Sequence, residues 1–437
     1  MPESIQTYPR VLFLHMTKIY LNDPVNLLVR SFFADWPKEN LAQVYSGQYL
    51  GKGDYCGSYF ELGPQERRFG HLFYFFKPIS VNAISGNTTT QKKVGGAVHL
   101  VKKFAKTFVS SLTASGRWEE IFRYQISDDL IQFIKNFNPD IIYNQGYSLG
   151  FTKLTLEISQ RFKIPICYFP VDDWHTSLYE GSRMHQKVEL IATEIAQNAS
   201  MRLALGPKMT DVLTERYQVP FDCVYHADDK TRFIVQSTNA SISANRPVTI
   251  GYTGSLYLGR ISSLVDLVNA CNSLDRNILI RIYCPEIPIE TPGELINAKQ
   301  VEFLPLPTHE ELPGVLANCD VLFLPESFNP TYEKAISLSL STKAHLYMMS
   351  GRPIIVYAPS YSGIVDYAKR DKWAYVVEER NMDSLVIALR SLIHDNNLKI
   401  QLIETAHDVS IKNHDQKKVR QKFLQALQSI LNNQNVI

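Results

Sequence analysis

The sequence predicts an α/β protein built from two doubly wound domains that face a cleft. Three observations predict it. The chain has 437 residues, more than one hydrophobic core usually holds. Short apolar runs alternate with helical patterns, as parallel sheets require. The alternation stops at "QSTNASISANRP", residues 236–247, a small, polar stretch of linker type, and then restarts.

The first half opens on "RVLFLHM", an apolar run of the buried parallel type. A polar loop, "TKIYLNDP", and a helical pattern through "VNLLVRSFF" follow it. Residues 46–120 are less regular and read as a long insertion or loop region. Order returns with the helix and strand in "DDLIQFIKNFNPDIIYNQG". The helix "GFTKLTLEISQRF", the strand "IPICYFPV" and further βα units run to about residue 235. After the linker come the strand "VTIGYTGSL", the helix "ISSLVDLVNACNSL" and the strand "NILIRIYC". Later strands are "VEFLPL", "DVLFLP" and "PIIVYAP", and the chain closes on the amphipathic pattern "QKKVRQKFLQALQSILNN". The domains are expected at residues 1–240 and 247–415, with a terminal helix at 416–437 packing back on the first.

Apolar content of 45% and charged content of 20% are those of an ordinary globular chain. A net charge of +2 gives no global field for nucleic acid. The six cysteines form no CxxC pair and have no histidine at metal spacing; they read as buried free thiols in a reducing compartment. "MPESIQTYPR" lacks the apolar core of a secretory signal, and no run reaches membrane-spanning length. The expectation is a cytoplasmic protein. The acid-free segment "KKVGGAVHLVKKFAKTF", residues 92–108, places Val101, Phe104 and Phe108 on one helical face and lysines largely on the other. It reads as a solvated surface helix or as a peripheral contact with the inner face of an anionic membrane.

Ligands of open α/β sheets bind beyond the carboxyl ends of the strands, so the loops there are the candidates. In the second half, "GYTGSLYLGR" offers Gly254 for close backbone approach, the Ser255 hydroxyl and the Arg260 charge. The loop "PLPTHEEL" opens a helix that Thr308 or His309 is placed to cap. "ESFNPTYEKAISLSLSTK" carries Glu326 and Glu333 and leads to Thr342 and Lys343 at a helix start, where a phosphate is favoured or where Ser341 or Thr342 simply caps. Two phosphate-suited loops on one edge point to a nucleoside diphosphate. In the first half, "DDWHTSLY" crowds Asp172, Asp173 and His175 at one strand end, suited either to helix capping or to a sugar hydroxyl. His15, Lys18, Asn22 and Asp23, and the group Asn144, Gln145 and Tyr147, lie at neighbouring strand ends.

The order and spacing of "NPDIIYNQG", "IPICYFPVDDW", "ASMRLALGPKMTDVLTERY", "VYHADD", "VTIGYTGSL", "CDVLFLP" and "STKAHLYMMSGRPIIVY" resemble bacterial glycosyltransferases of the two-Rossmann-domain GT-B fold, family 4 in particular, over most of residues 128–395. The resemblance implies sugar transfer from a nucleotide diphosphate sugar, UDP- or GDP-linked, with retention and without a required metal or other cofactor. The acceptor it implies is a glycan, a lipid-linked sugar or a small molecule, in polysaccharide biosynthesis, with a hexosyl group transferred. It puts Gly254 and Ser255 in a phosphate loop and Lys343 at a basic donor position. Asp172, Asp173 and His175 are the catalytic-side candidates; Arg260, Glu326, Glu333 and Thr342 complete the donor-side set.

The chain also departs from the pattern. Leu346 stands where the family carries a ribose-binding Glu, and Leu338 where it carries an earlier one. A leucine accepts no hydrogen bond from a ribose hydroxyl, so Glu326 or Glu333 is expected to replace it. The alternatives are an epimerase or hydrolase of similar fold, and a non-catalytic GT-B protein that binds a partner.

Overall fold

A computed structural model of the chain describes residues 8–20, 27–47, 53–72, 115–233, 242 and 245–434. Asn22, Asp23, the basic segment 92–108 and most of the expected linker lie outside the described residues. Two parallel sheets organise the fold. The first contains β1 (Val11–Leu14), β2 (Leu41–Tyr45), β3 (Ser58–Glu61), β4 (Ile141–Asn144), β5 (Ile166–Tyr168), β6 (Met201–Leu205) and β7 (Asp222–Val224). Its strand order is β3-β2-β1-β4-β5-β6-β7. The second contains β8 (Val248–Thr253), β9 (Ile278–Cys284), β10 (Val301–Pro305), β11 (Val321–Pro325), β12 (Ile354–Tyr357) and β13 (Tyr375–Val377). Its order is β10-β9-β8-β11-β12-β13. In each sheet the order reverses beside the first strand, β1 or β8, and this creates the crevice where doubly wound sheets bind ligands.

By internal contacts the chain divides into two compact units. One comprises Met1–Leu27, Asp35–Leu203 and Ala426–Ile437; the other comprises Leu28–Ala34 and Ala204–Gln425.

The central strands β1, β4, β8, β11 and β12 are buried along their whole length. That is why they read as continuous apolar runs. Nearer the edge, β9 alternates: Ile278, Ile280 and Ile282 enter the core of the second unit, while Leu279, Arg281 and Tyr283 face the other way. Helix starts carry side-chain caps at Ser127, Ser148, Ser182, Ser362, Asn381 and Asp395. Gly351, at φ +70°, follows the helix Ala344–Met349 and turns the chain into β12.

One cysteine corrects the sequence reading. Cys223 is exposed on the edge strand β7, while the other five are buried. A three-residue edge strand has too little cover to bury both faces.

Candidate functional site

In the second unit, the expected donor-side residues meet at the carboxyl edge of the sheet. β8 ends at Thr253, whose backbone N–H donates to the Tyr347 hydroxyl at 2.8 Å. The next amide, Gly254, donates to the Tyr283 carbonyl at 2.8 Å. Gly254 has φ +128°, and a Cβ there would stand 2.5 Å from Lys343 Cε. The backbone angle requires glycine here, and its missing side chain leaves the room in which the lysine lies across it. Lys343 Nζ lies 5.6 Å from the centre of the Tyr252 ring.

Arg260 opens the helix Arg260–Cys271 behind Gly259, which has φ +70°. Its guanidinium donates to the Glu326 carboxylate from Nε at 3.0 Å and Nη2 at 3.2 Å. Glu326, only 5% exposed, is fixed from all sides. Its N–H donates to the Tyr357 carbonyl at 3.0 Å, and its carbonyl accepts from Ser263 Oγ at 2.7 Å. Burial, aided by the nearby Arg260 charge, pushes the Lys343 ammonium down to about 8, and Glu326 opposes that shift. Two cations against one carboxylate leave the site with an excess positive charge.

The structure corrects four readings here. Glu326 is committed to Arg260 and is not a free acceptor for a ribose. Arg260, for the same reason, is not a free cation. The helix Ala344–Met349 starts where the sequence places it, with Lys343 at the N-cap position, but without a side-chain cap. Thr342 is exposed, and Ser341 is buried with its hydroxyl unpartnered, so neither caps. Ser255 Oγ accepts from the Tyr257 N–H at 3.2 Å and so closes its own turn. Glu333 is exposed on the short helix Glu333–Ile336, and Leu346 is half-buried. In the loop after β10, the Thr308 N–H and hydroxyl both donate to the Glu311 carboxylate at 2.9 Å and the Glu311 N–H donates back to Thr308 Oγ1 at 3.3 Å, but the N-cap position of the helix Leu312–Ala317 falls on Glu311, with no side-chain cap. His309 instead receives the Arg232 guanidinium.

In the first unit, the loops after β1, β4 and β5 converge. Tyr147 donates its hydroxyl to Asp172 at 3.3 Å and sets its ring edge-on to His15, centres 6.3 Å apart. His175, buried, places Nε2 at 3.2 Å from the Asp173 carboxylate. Asp173 occupies the N-cap position of the turn Trp174–Ser177 but makes no side-chain cap bond, so its carboxylate serves the histidine rather than the helix end. Asp172 is solvent-exposed, yet the surrounding protein, with the Asp173 charge adding to it, holds its carboxyl above the usual range. Asn144 and Gln145, read as sugar-facing amides, are buried: Asn144 donates to Thr155 Oγ1 at 2.9 Å and Gln145 to the Tyr143 hydroxyl at 3.4 Å. Lys18 pairs with Asp54 at 2.9 Å.

Sequence reading missed a stack of three buried imidazoles in the second unit. His345 lies between His226 and His414, with ring centres 5.9 and 5.7 Å away and planes within 18° and 24°. His414 Nδ1–H donates to the His226 carbonyl at 2.6 Å, so its Nε2 accepts from the Tyr367 hydroxyl at 2.8 Å. No sequence signal marks it, because the three residues lie far apart in the chain. Burial holds the rings neutral, pushing His226 down to about 4, His414 to about 3, and His345 well below its ordinary value. The unfolded chain binds these protons near pH 6.5. Stability is therefore full above pH ~6.5 and lost as pH falls towards 4. The urea midpoint should drop between pH 7.5 and 5, and drop less in His345→Leu; equal midpoints for the native chain at both values would contradict this.

No family model and no curated protein matches this sequence. Solved structures do match it in fold. Sucrose-phosphate synthase from Thermosynechococcus elongatus aligns over 98% of this chain and 100% of its own, at 11% identity and TM-score 0.61. Anabaena HepE in complex with UDP aligns over 96% and 100%, at 13% identity and TM-score 0.58. Trehalose 6-phosphate synthase from Burkholderia multivorans aligns over 98% of each chain, at 10% identity and TM-score 0.57. These likenesses show that the chain has the GT-B fold.

Proposed function

We propose that the protein is a glycosyltransferase, of the family 4 type, that takes a sugar from a nucleotide diphosphate sugar. The observation that carries the reading is the carboxyl edge of the second sheet: Gly254 opens the backbone, Lys343 lies across it, and Arg260 is held rigid by Glu326. HepE, of the same fold, was solved with UDP and with UDP-glucose, which supports a UDP-linked donor here. Lys343, beside the Arg260–Glu326 pair, would neutralise the diphosphate as it leaves. With that charge supplied by side chains, the reading is of metal-independent transfer with retention. Asp172 and the Asp173–His175 pair, on the edge of the first sheet, would meet the transferred sugar or a sugar acceptor. Of the two carboxylates considered for the ribose, the exposed Glu333 is the one left to replace the missing Glu at Leu346.

A panel of UDP- and GDP-sugars, with release of the free diphosphate followed with and without chelator, tests the reading. Asp173→Ala and His175→Ala should each lower turnover at least tenfold while the melting temperature shifts by only a few degrees. Turnover that persists in both variants would return these residues to a structural role.

Leu338 and Leu346 favour a second reading, a GT-B protein that binds a nucleotide sugar without turning it over. Saturable nucleotide binding with no product from any donor would select it.

A further inference from the structure

The opposite edge of the second sheet carries a basic cavity of about 450 Å³, lined among others by Arg246, Thr249, Leu279, Arg281, Asp320 and Arg352. Arg246 precedes β8 and Asp320 precedes β11, whereas Gly254 and Glu326 follow those strands. Six residues of β8 separate the two edges, roughly 20 Å of extended chain, so this cavity is distinct from the candidate nucleotide site. The strand pattern builds it. Val248, Ile250 and Tyr252 of β8 enter the core together with Ile280 and Ile282 of β9. Thr249, Gly251, Leu279 and Arg281 are thereby turned to the other face. A Cβ on Gly251 would collide with Cys319 Sγ, so glycine lets this wall close.

Three guanidinium groups face one carboxylate in the lining. Asp320 is already satisfied: it accepts from Arg246 Nη1 and Nη2 at 2.6 Å each and from the Thr249 N–H at 2.8 Å. Arg281 bonds outward to Glu302 at 3.1 Å, in a pair that is partly exposed, and also meets the Tyr283 hydroxyl. Arg352 makes no ion pair among the described residues. One of its Nη atoms donates to the Ala317 carbonyl, and its buried Nε has no partner. The buried Lys399 stands near enough to Asp320 to feel its charge. With Arg246 on Asp320 and Arg281 on Glu302, the charge of Arg352 is left in excess in the lining, on a guanidinium whose donors are only partly used. A buried donor left unmade is costly, and planar guanidinium forks match the oxygens of a phosphoryl group.

We propose that this cavity binds a dianionic phosphoryl group. Its volume lies within the range of about 300–1,000 Å³ usual for small-ligand pockets and exceeds the need of a bare ion. Leu279 and Ala317 offer an apolar wall to the organic part of a phosphate monoester.

Calorimetric titration of inorganic phosphate and of ribose 5-phosphate into the full chain tests this. The expected result is saturable binding of both. Tighter binding of ribose 5-phosphate assigns the site to a monoester, and equal binding assigns it to the free ion. Arg281→Gln combined with Arg352→Gln should weaken binding at least tenfold, while Lys343→Ala leaves it unchanged. Affinity for ribose 5-phosphate should rise from pH 5 to 7.5, as the second proton of the monoester leaves near pH ~6. If Arg352→Gln impairs folding, Arg281→Glu at the half-exposed mouth must produce the same loss. Absence of saturable binding overturns the proposal. So does binding that survives the arginine substitutions, or that disappears in Lys343→Ala, because the phosphate would then lie at the nucleotide site.

Discussion

Glu326→Leu is expected to destabilise the second unit by about 3–5 kcal/mol, the usual cost of leaving a buried ion without its partner. The guanidinium of Arg260 and the carboxylate of Glu326 have side-chain exposures of 13% and 6%. The backbone of Gly259, just before Arg260, lies close against the Ser327 side chain, just after Glu326, so neither charge turns to water without moving that loop. Removing the carboxylate also places Arg260 beside Lys343 with nothing to balance them, and like charges in a poorly solvated site repel strongly. The double variant Arg260→Met/Glu326→Leu should recover most of the lost stability, because it removes both charges at once. It should not recover nucleotide binding. Thermal and urea unfolding of the two variants measure the first effect and titration measures the second. A single variant that melts with the native chain would mean that the pair is loosely held and does not organise the site.

Lys343→Ala should weaken nucleoside diphosphate binding by roughly 10- to 100-fold, the worth of one charge-assisted hydrogen bond. The fold should be unaffected, since the lysine caps nothing through its side chain. A pH profile separates the ammonium from mere bulk. Burial holds Lys343 near 8, so it is charged below that pH and neutral above it. A bound diphosphate stabilises the charged form. Affinity of the native chain should therefore fall as pH rises from about 8 to 9, and the fall should be missing in Lys343→Ala. A native profile flat across that interval would remove the lysine from the site.

Much of this was legible in the sequence, for identifiable reasons. Central strands such as β8 and β12 are buried on both faces, and "VTIGYT" and "PIIVY" betray that directly. Gly254 was legible because a strand-ending glycine before a helix is a local signal. What sequence could not show is pairing across the fold. Arg260 and Glu326 lie 66 residues apart, and each reads as a free charge until the two loops are seen to meet. Asn144 and Gln145 failed for a related reason. Their polarity suggested a ligand, but their partners Thr155 and Tyr143 lie inside the protein. The histidine stack and the arginine-lined cavity carry no motif at all, since each draws residues from segments that only folding brings together.

The carboxyl edge of the second sheet, around Gly254, Arg260 and Lys343, is expected to hold a nucleoside diphosphate. Isothermal titration of UDP, GDP and ADP into the full-length native chain and into Lys343→Ala tests it most directly. Saturable heat is expected with at least one of the three in the native chain, with affinity reduced at least tenfold by the substitution. No heat with any of them, or equal affinity in the two proteins, would contradict it.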